Sequence, residues 1–198
     1  MKTIIGLTGG YCTGKNEAAS SLETMGFSII DVDKLGHVAL ERSAAKLAEV
    51  FGPSILKADG SVDRRALGAI VFSSPARLAL HESIVHPPML ELLDQAIAAG
   101  DRVCINAALL YRFPQKERCT LILEVRAPLC ERIRRGRERD GLGVRDILTR
   151  IASQRYLWRM RPEVHPPVLF LDNGGDLDAL KRDIGRILAS DSPRSVGV

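Results

Sequence analysis

Two spacings alternate along this chain. Compact apolar runs of strand length occur at 3–7, 26–33, 102–107, 120–125 and 168–171. Between them, apolar residues return every three or four positions, as on one face of a helix. Ala18, Ala19, Leu22 and Met25 form one such set; Leu35, Val38, Ala39 and Leu40 another; Leu177, Leu180, Ile184, Ile187 and Leu188 the last. Strands alternating with helices predict an α/β fold of three layers, with a five-stranded parallel sheet between helices. The run at 102–107 is apolar enough to be an interior strand.

Residues 34–100 carry no strand-like run. Asp63 lies near the start of a short helix ending at Phe72. Ser74 and Pro75 supply an N-cap and a first helical position for the next. His86-Pro87-Pro88 predicts its end, with a separate helix from Met89 to Ala99. A helical stretch this long, between the second and third strands, predicts an insertion standing over the carboxyl edge of the sheet.

The connection between the first strand and first helix is unusual. It reads Gly9-Gly10-Tyr11-Cys12-Thr13-Gly14-Lys15-Asn16. Glycine spacing followed by lysine, between a strand and a helix, is the phosphate-cradling P-loop pattern. Glycine permits positive φ, so successive N–H groups converge on one anion, and the helix N-terminus and Lys15 add positive charge. Asn16 breaks the pattern, standing where a Ser or Thr hydroxyl would meet Mg²⁺. The second strand ends in Asp31 and Asp33, and ligands of open α/β sheets bind beyond the strands' carboxyl ends. Asp33 is therefore a candidate site carboxylate, an N-cap for a helix from Lys34, or both.

The net charge of +4 is modest but unevenly placed, with Arg132, Arg134, Arg135, Arg137, Arg139 and Arg145 in one segment. Such a cluster suits nucleic acid or a small polyphosphate. Without interleaved aromatics it argues against nucleic acid. Helical spacing on both sides of 140–143 makes the segment an arginine-rich lid or a solvated charged hairpin. A lid excludes water and brings positive charge to a transferring phosphoryl group. The four cysteines, Cys12, Cys104, Cys119 and Cys130, have no metal-ligand spacing and read as reduced, mostly buried thiols. Cys12 is either a small residue that fits the loop or a thiol activated by the anion cradle. No apolar run reaches membrane-spanning length, and residues 1–6 lack a signal-peptide core, so a cytoplasmic enzyme without membrane partners is expected.

Several motifs occur in one order: Asp31-Val-Asp33, Arg64-Arg-Ala-Leu67, Val85-His-Pro87, Ala108-Leu-Leu110, Arg135-Gly-Arg-Glu-Arg-Asp140, Gln154 and Asp172-Asn-Gly174. Together with the P-loop, the chain resembles the dephospho-coenzyme A kinases over nearly its whole length. These are P-loop kinases of the nucleoside-monophosphate-kinase type. The resemblance implies ATP and Mg²⁺, with the ribose 3′-hydroxyl of dephospho-coenzyme A as acceptor. It implies a monomer or weak homo-oligomer, and a layout of core (1–33, 101–130, 156–190), helical acceptor-binding insertion (34–100), lid (131–155) and frayed tail (191–198). By the same resemblance, Gly9, Gly10, Tyr11, Cys12, Thr13, Gly14, Lys15 and Asn16 hold ATP, with Asn173 and Gly174 toward the adenine and Arg135 toward either the adenine or the transferring phosphoryl group. Asp33 activates the acceptor, and Lys15 and Arg139 stabilise the transferring group. Arg65, His86 and Leu110 bind the acceptor, while Tyr156 and Trp158 read as packing residues. The chain departs from the family at Cys12, Asn16, Glu17 and Asn106. Asn16 implies altered rather than absent metal binding. Cys12 implies a negative φ at that position, since a Cβ is disfavoured elsewhere.

Overall fold

The computed structural model describes residues 2–163 and 165–190. The expected frayed tail, 191–198, lies outside the described residues. Five strands form one sheet: β1 (Thr3–Gly9), β2 (Ser28–Asp31), β3 (Arg102–Asn106), β4 (Leu121–Arg126) and β5 (Val168–Asp172), in the order β2-β3-β1-β4-β5. β1 pairs in parallel with β3 and with β4, and β4 in parallel with β5. The chain divides into two compact units, Met1–Ile30 with Gly100–Val198, and Asp31–Ala99.

In the first unit, the alternation of side chains along the strands separates two faces. Ile5, Leu7, Cys104, Leu121, Leu123 and Val125 meet α1 (Lys15–Thr24) and α8 (Leu177–Ser190) through Ala18, Ala19, Leu22, Leu180 and Ile184. Each large aliphatic side chain buried here stabilises by about 1.5–3 kcal/mol. The opposite face includes Ile4, Gly6, Ile105 and Ile122. A Cβ on Gly6 would fall 2.7 Å from Leu110 Cδ2 and 2.9 Å from Ile122 Cγ1, so that side can pack only against glycine. The remaining helices of this unit are α6 (Leu129–Asp140) and α7 (Val144–Ser153), joined at 141–143 into a hairpin. Gly141 ends α6 in the left-handed conformation, φ 65°.

The second unit contains α2 (Val32–Arg42), α3 (Ala44–Phe51), α4 (Arg64–Val71) and α5 (Pro75–Ala99). Two expectations are corrected here. The second strand stops at Asp31, and it is Asp31, not Asp33, that caps the next helix: Asp31 Oδ1 accepts from the N–H groups of Asp33 and Lys34 at 3.1 and 3.3 Å. Asp33 lies in the first turn. The prolines do not end a helix either, because α5 runs unbroken through Pro87 and Pro88. The missing N–H groups deprive the carbonyls of Ser83 and Ile84 of their intrahelical partners. Val85, Met89, Leu93 and Ile97, four apart and all buried, keep one apolar face continuous across the defect. The turn at 58–61 is present, closed by an antiparallel bridge between Leu56 and Val62 that the helical spacing did not foretell. Asp63 caps α4, and Ser74 precedes α5 with its hydroxyl accepting from Arg77 N–H at 3.3 Å.

Candidate active site

The loop between β1 and α1 is built from the backbone outward. Gly14 has φ 87°, and a Cβ there would collide with Asn173 Nδ2 and the Glu17 carboxylate. Cys12 has φ 57°, against the expectation of a negative value. A non-glycine residue in this region costs about 1–2 kcal/mol. Burial of its side chain and an Arg135 Nη1 bond to its carbonyl at 3.5 Å are the compensations visible here. Thr13 turns its hydroxyl back to the Gly10 carbonyl at 2.9 Å. Lys15, at the first position of α1, donates from Nζ to Asn106 Oδ1 at the end of β3. Asn106 thus orients the lysine from the neighbouring strand.

One face of α6 lies on this loop. Arg132, Arg135 and Arg139 are spaced i, i+3, i+7, which aligns them on that helix. Arg132 Nε donates to the Tyr11 carbonyl at 2.7 Å, and a Cβ on Gly10 would fall 2.8 Å from Arg132 Nη2. Arg135 reaches Asn173 Oδ1 at 3.2 Å, and Asn173 in turn donates from Nδ2 to the Thr13 carbonyl at 3.1 Å. Asn173, fully buried, therefore ties the end of β5 to the cradle. Gly174 has open space on the side where a Cβ would stand. Arg139 grips Asp140, with Nε and Nη2 at 2.8 and 2.9 Å from its two oxygens. That guanidinium, and then the Tyr11 hydroxyl, hold the Asp140 carboxyl well below the usual carboxylate range. By contrast Arg134, on another face of α6, is occupied by Glu131 and Glu138.

Behind the loop lies a buried carboxylate. Glu124 on β4 accepts from the Tyr111 hydroxyl at 2.8 Å, from Arg161 through both oxygens at 2.8 Å, and from Arg126 Nε at 3.3 Å. Burial, then the neighbouring Glu124 charge, pushes the Tyr111 hydroxyl above its ordinary value, so it stays a donor. Tyr111 meets Trp158 edge-on at 6.2 Å. Trp158 also lines an open cavity of about 310 Å³ with Gly10, Thr13, Arg126, Arg132 and Arg161.

The other sequence-derived candidates separate clearly. Leu110 is completely buried against the Gly6 position, so its side chain is core and cannot meet an acceptor from solvent. Arg65 is exposed on α4, its N–H held by Asp63 Oδ1 at 2.9 Å. His86 lies half-buried within α5. Arg132, Asn106, Gln154 and Asp140 are the residues whose contacts with the loop the motifs alone did not assign. The i, i+3, i+7 spacing carried the signal for Arg132.

The metal seat is sparse. Among the described residues no cluster of three His, Cys, Asp or Glu side chains exists that would hold an ion. Asn16, exposed at the first turn of α1, makes no protein side-chain hydrogen bond among the described residues. A free amide oxygen next to Lys15 fits one ligand of a Mg²⁺ that would keep its waters and take the rest from substrate phosphates.

A parallel sheet in this order, with a Gly-Lys loop after its central strand and arginines laid on that loop, defines a P-loop kinase. Its fold matches that of a shikimate kinase from Acinetobacter baumannii, 16% identical, with a TM-score of 0.53 and coverage of 98% of this chain and 97% of the other. The family model described as dephospho-CoA kinase matches residues 3–162. Relatives named dephospho-CoA kinase include one from Corynebacterium glutamicum, 37% identical over 93% of this chain and 97% of its own, and one from Thermus thermophilus, 34% identical over 94% and 90%. A crystal structure from Thermus thermophilus, 34% identical, covers 96% of this chain and 97% of its own with a TM-score of 0.79. The chain belongs to the dephospho-CoA kinase family.

Proposed function

We propose that the protein transfers the γ-phosphoryl group of ATP to the ribose 3′-hydroxyl of dephospho-coenzyme A, giving coenzyme A and ADP. The observation that carries this reading is the cradle itself: Lys15 fixed by Asn106, beneath the arginine face of α6. Lys15 and the loop's backbone N–H groups, other than those of Tyr11 and Thr13, which bond to Gln154 and Gly10, would hold the β- and γ-phosphates. Arg139 would meet the phosphoryl group as its equatorial charge spreads. The acceptor oxygen forms its bond to γ-phosphorus as the bond to the β,γ-bridging oxygen breaks, and ADP leaves with that electron pair. Asp33 would accept the hydroxyl's hydrogen bond and take its proton late. An ordinary Asp is a weak base at neutral pH (about 3.9), and a loose transition state asks mainly for orientation. Asp33 is suited to that work because Asp31, not Asp33, is consumed by capping α2. Arg65 and His86 are proposed acceptor contacts, and Arg135, Asn173 and Gly174 the adenine surroundings. Mg²⁺, when bound beside Asn16, would supply charge neutralisation between the phosphates. Residues 34–100 would serve as the acceptor-binding insertion and 131–155 as the lid, within a cytoplasmic enzyme.

The test is ADP release from ATP and Mg²⁺ with a panel of nucleotide, shikimate-like and coenzyme A-precursor acceptors. Turnover confined to dephospho-coenzyme A is the expected result, and turnover with a different acceptor alone would overturn the assignment. A second reading, nucleotide binding without transfer, is favoured by one observation: an exposed Asn16 stands at the first turn of α1, where the P-loop pattern has a hydroxyl for Mg²⁺. ATP binding with no turnover on any acceptor would establish that reading instead.

A further inference from the structure

Every part of Tyr11 is engaged by the arginine-rich hairpin or the segment that follows it. Its N–H donates to Gln154 Oε1 at 2.7 Å, and its carbonyl accepts from Arg132 Nε at 2.7 Å. Its hydroxyl donates to Asp140 Oδ2, the carboxylate that Arg139 grips with two bonds. The guanidinium carbons of Arg139 and Arg150 lie 5.2 and 5.4 Å from its ring centroid. Room for that ring comes from Gly136, where a Cβ would fall 3.2 Å from Tyr11 Cε1. Arg139 is 59% exposed and would otherwise range over many rotamers, and a surface ion pair to Asp140 alone is a weak restraint. The phenol adds a third bond on the carboxylate, from outside α6, and an aromatic face on the guanidinium.

We propose that Tyr11 is a positioning residue for phosphoryl transfer: through Asp140 and its own ring it sets Arg139, so the conformation of the phosphate loop fixes where the transfer arginine stands. The inference rests on the reading of Arg139 given above. It makes the side chain at the third position of the loop, which the P-loop pattern leaves free, part of the transfer machinery. Tyr11 touches no phosphate through its ring or hydroxyl in this account. It acts through Arg139 by removing freedom that would otherwise be lost at the transition state.

The variant Tyr11→Phe keeps the ring, the fit at Gly136 and both main-chain bonds, and removes only the hydroxyl. Steady-state kinetics with ATP and dephospho-coenzyme A should show kcat lowered about three- to tenfold, the effect of one lost hydrogen bond, with KM for ATP within about twofold. Asp140→Asn should lower kcat at least as far. The deciding measurement is the double variant. In an Arg139→Ala background, Tyr11→Phe should cost nothing further, because the residue it positions is gone. If Arg139→Ala is impaired and Tyr11→Phe is either unimpaired alone or fully additive with it, the positioning role is overturned. If Arg139→Ala turns over normally, the reading of Arg139 fails first and takes the inference with it. Thermal melts of each variant separate misfolding from kinetics, and rescue of a Tyr11→Ala enzyme by Tyr11→Phe should be partial in kcat but complete in melting temperature.

Discussion

At the scale of single residues, two carboxylates divide work that the motif Asp-Val-Asp leaves ambiguous. Asp31 caps α2, which leaves Asp33 available for an acceptor. Asp33→Asn should therefore lower kcat by roughly 10²-fold or more, the usual scale of a positioned acid–base group, while ATP affinity measured by nucleotide titration stays near wild type. Retained turnover would remove Asp33 from the reaction. Glu17 makes a second prediction. Its carboxylate stands at Gly14 with Asn173 and Arg135 nearby, so under the proposed function its charge would oppose a bound polyphosphate. Glu17→Thr should tighten ATP binding by about two- to fivefold, the size of one partly screened charge contact. Isothermal titration at low salt reads it directly, and weaker binding would show that Glu17 supports the cradle instead. The residue that the pattern misjudged is Cys12. The loop holds it at φ 57° because neighbours from α6 and β5 fix the backbone there, and such support from distant residues leaves no trace in local spacing.

At the scale of elements, Gly136 is the informative position. A glycine inside a helix costs about 1 kcal/mol relative to alanine. Here a Cβ would stand 3.0 Å from Ile147 Cδ1 and 3.2 Å from Tyr11 Cε1, crowded from two sides. Overpacking of this kind costs about 1–3 kcal/mol, which outweighs the gain in propensity. Gly136→Ala should lower stability in urea by about 1 kcal/mol and reduce kcat as the Tyr11 ring is displaced. A stabilised variant would show that the hairpin yields freely. All five strands and most helices were legible, because apolar runs and helical spacing report burial on each element's own neighbours. The start of α2 and the continuity of α5 were not. A cap is chosen between two aspartates by backbone geometry, and Pro87 and Pro88 read as a stop unless the four-residue rhythm of Val85, Met89, Leu93 and Ile97 is weighed against them. The candidate site was legible where structure is local, as in the Gly14-Lys15 turn from β1 into α1. It was obscure where a partner arrives from far along the chain, as with Asn106, Gln154 and Arg132.

At the scale of the whole molecule, arginine is concentrated on the hairpin that packs on the β1–α1 loop, and no described helix is long and apolar enough to cross a membrane. The buried thiols give the molecule a defined response to base. Burial pushes Cys119 up to about 12 and Cys104 further. Below about pH 7.5 both folded and unfolded chains keep these protons and stability is unaffected. Above it the unfolded chain loses them while the folded chain does not, so the unfolded state binds fewer protons and stability falls. The slope approaches about 1.4 kcal/mol per pH unit for each thiol. Urea unfolding between pH 8 and 10.5 should show this decline, and Cys119→Ala should flatten it by roughly one thiol's share. An unchanged slope in the variant would assign the decline elsewhere.

The Glu124 cluster has a consequence for how this chain can change. The carboxylate is 5% exposed and joins β4 to Tyr111, 13 residues before it, and to Arg161, 37 residues after it. Removing Arg161 alone leaves the buried charge with Arg126, at 3.3 Å, as its cationic partner, at a cost of up to about 3–5 kcal/mol. Replacing all three with apolar residues of matching volume strands nothing. The steps between those two states are the expensive ones. Glu124, Tyr111 and Arg161 therefore behave as one inherited block: substitutions are tolerated together or hardly at all, so this corner of the molecule drifts in jumps while its surface drifts residue by residue.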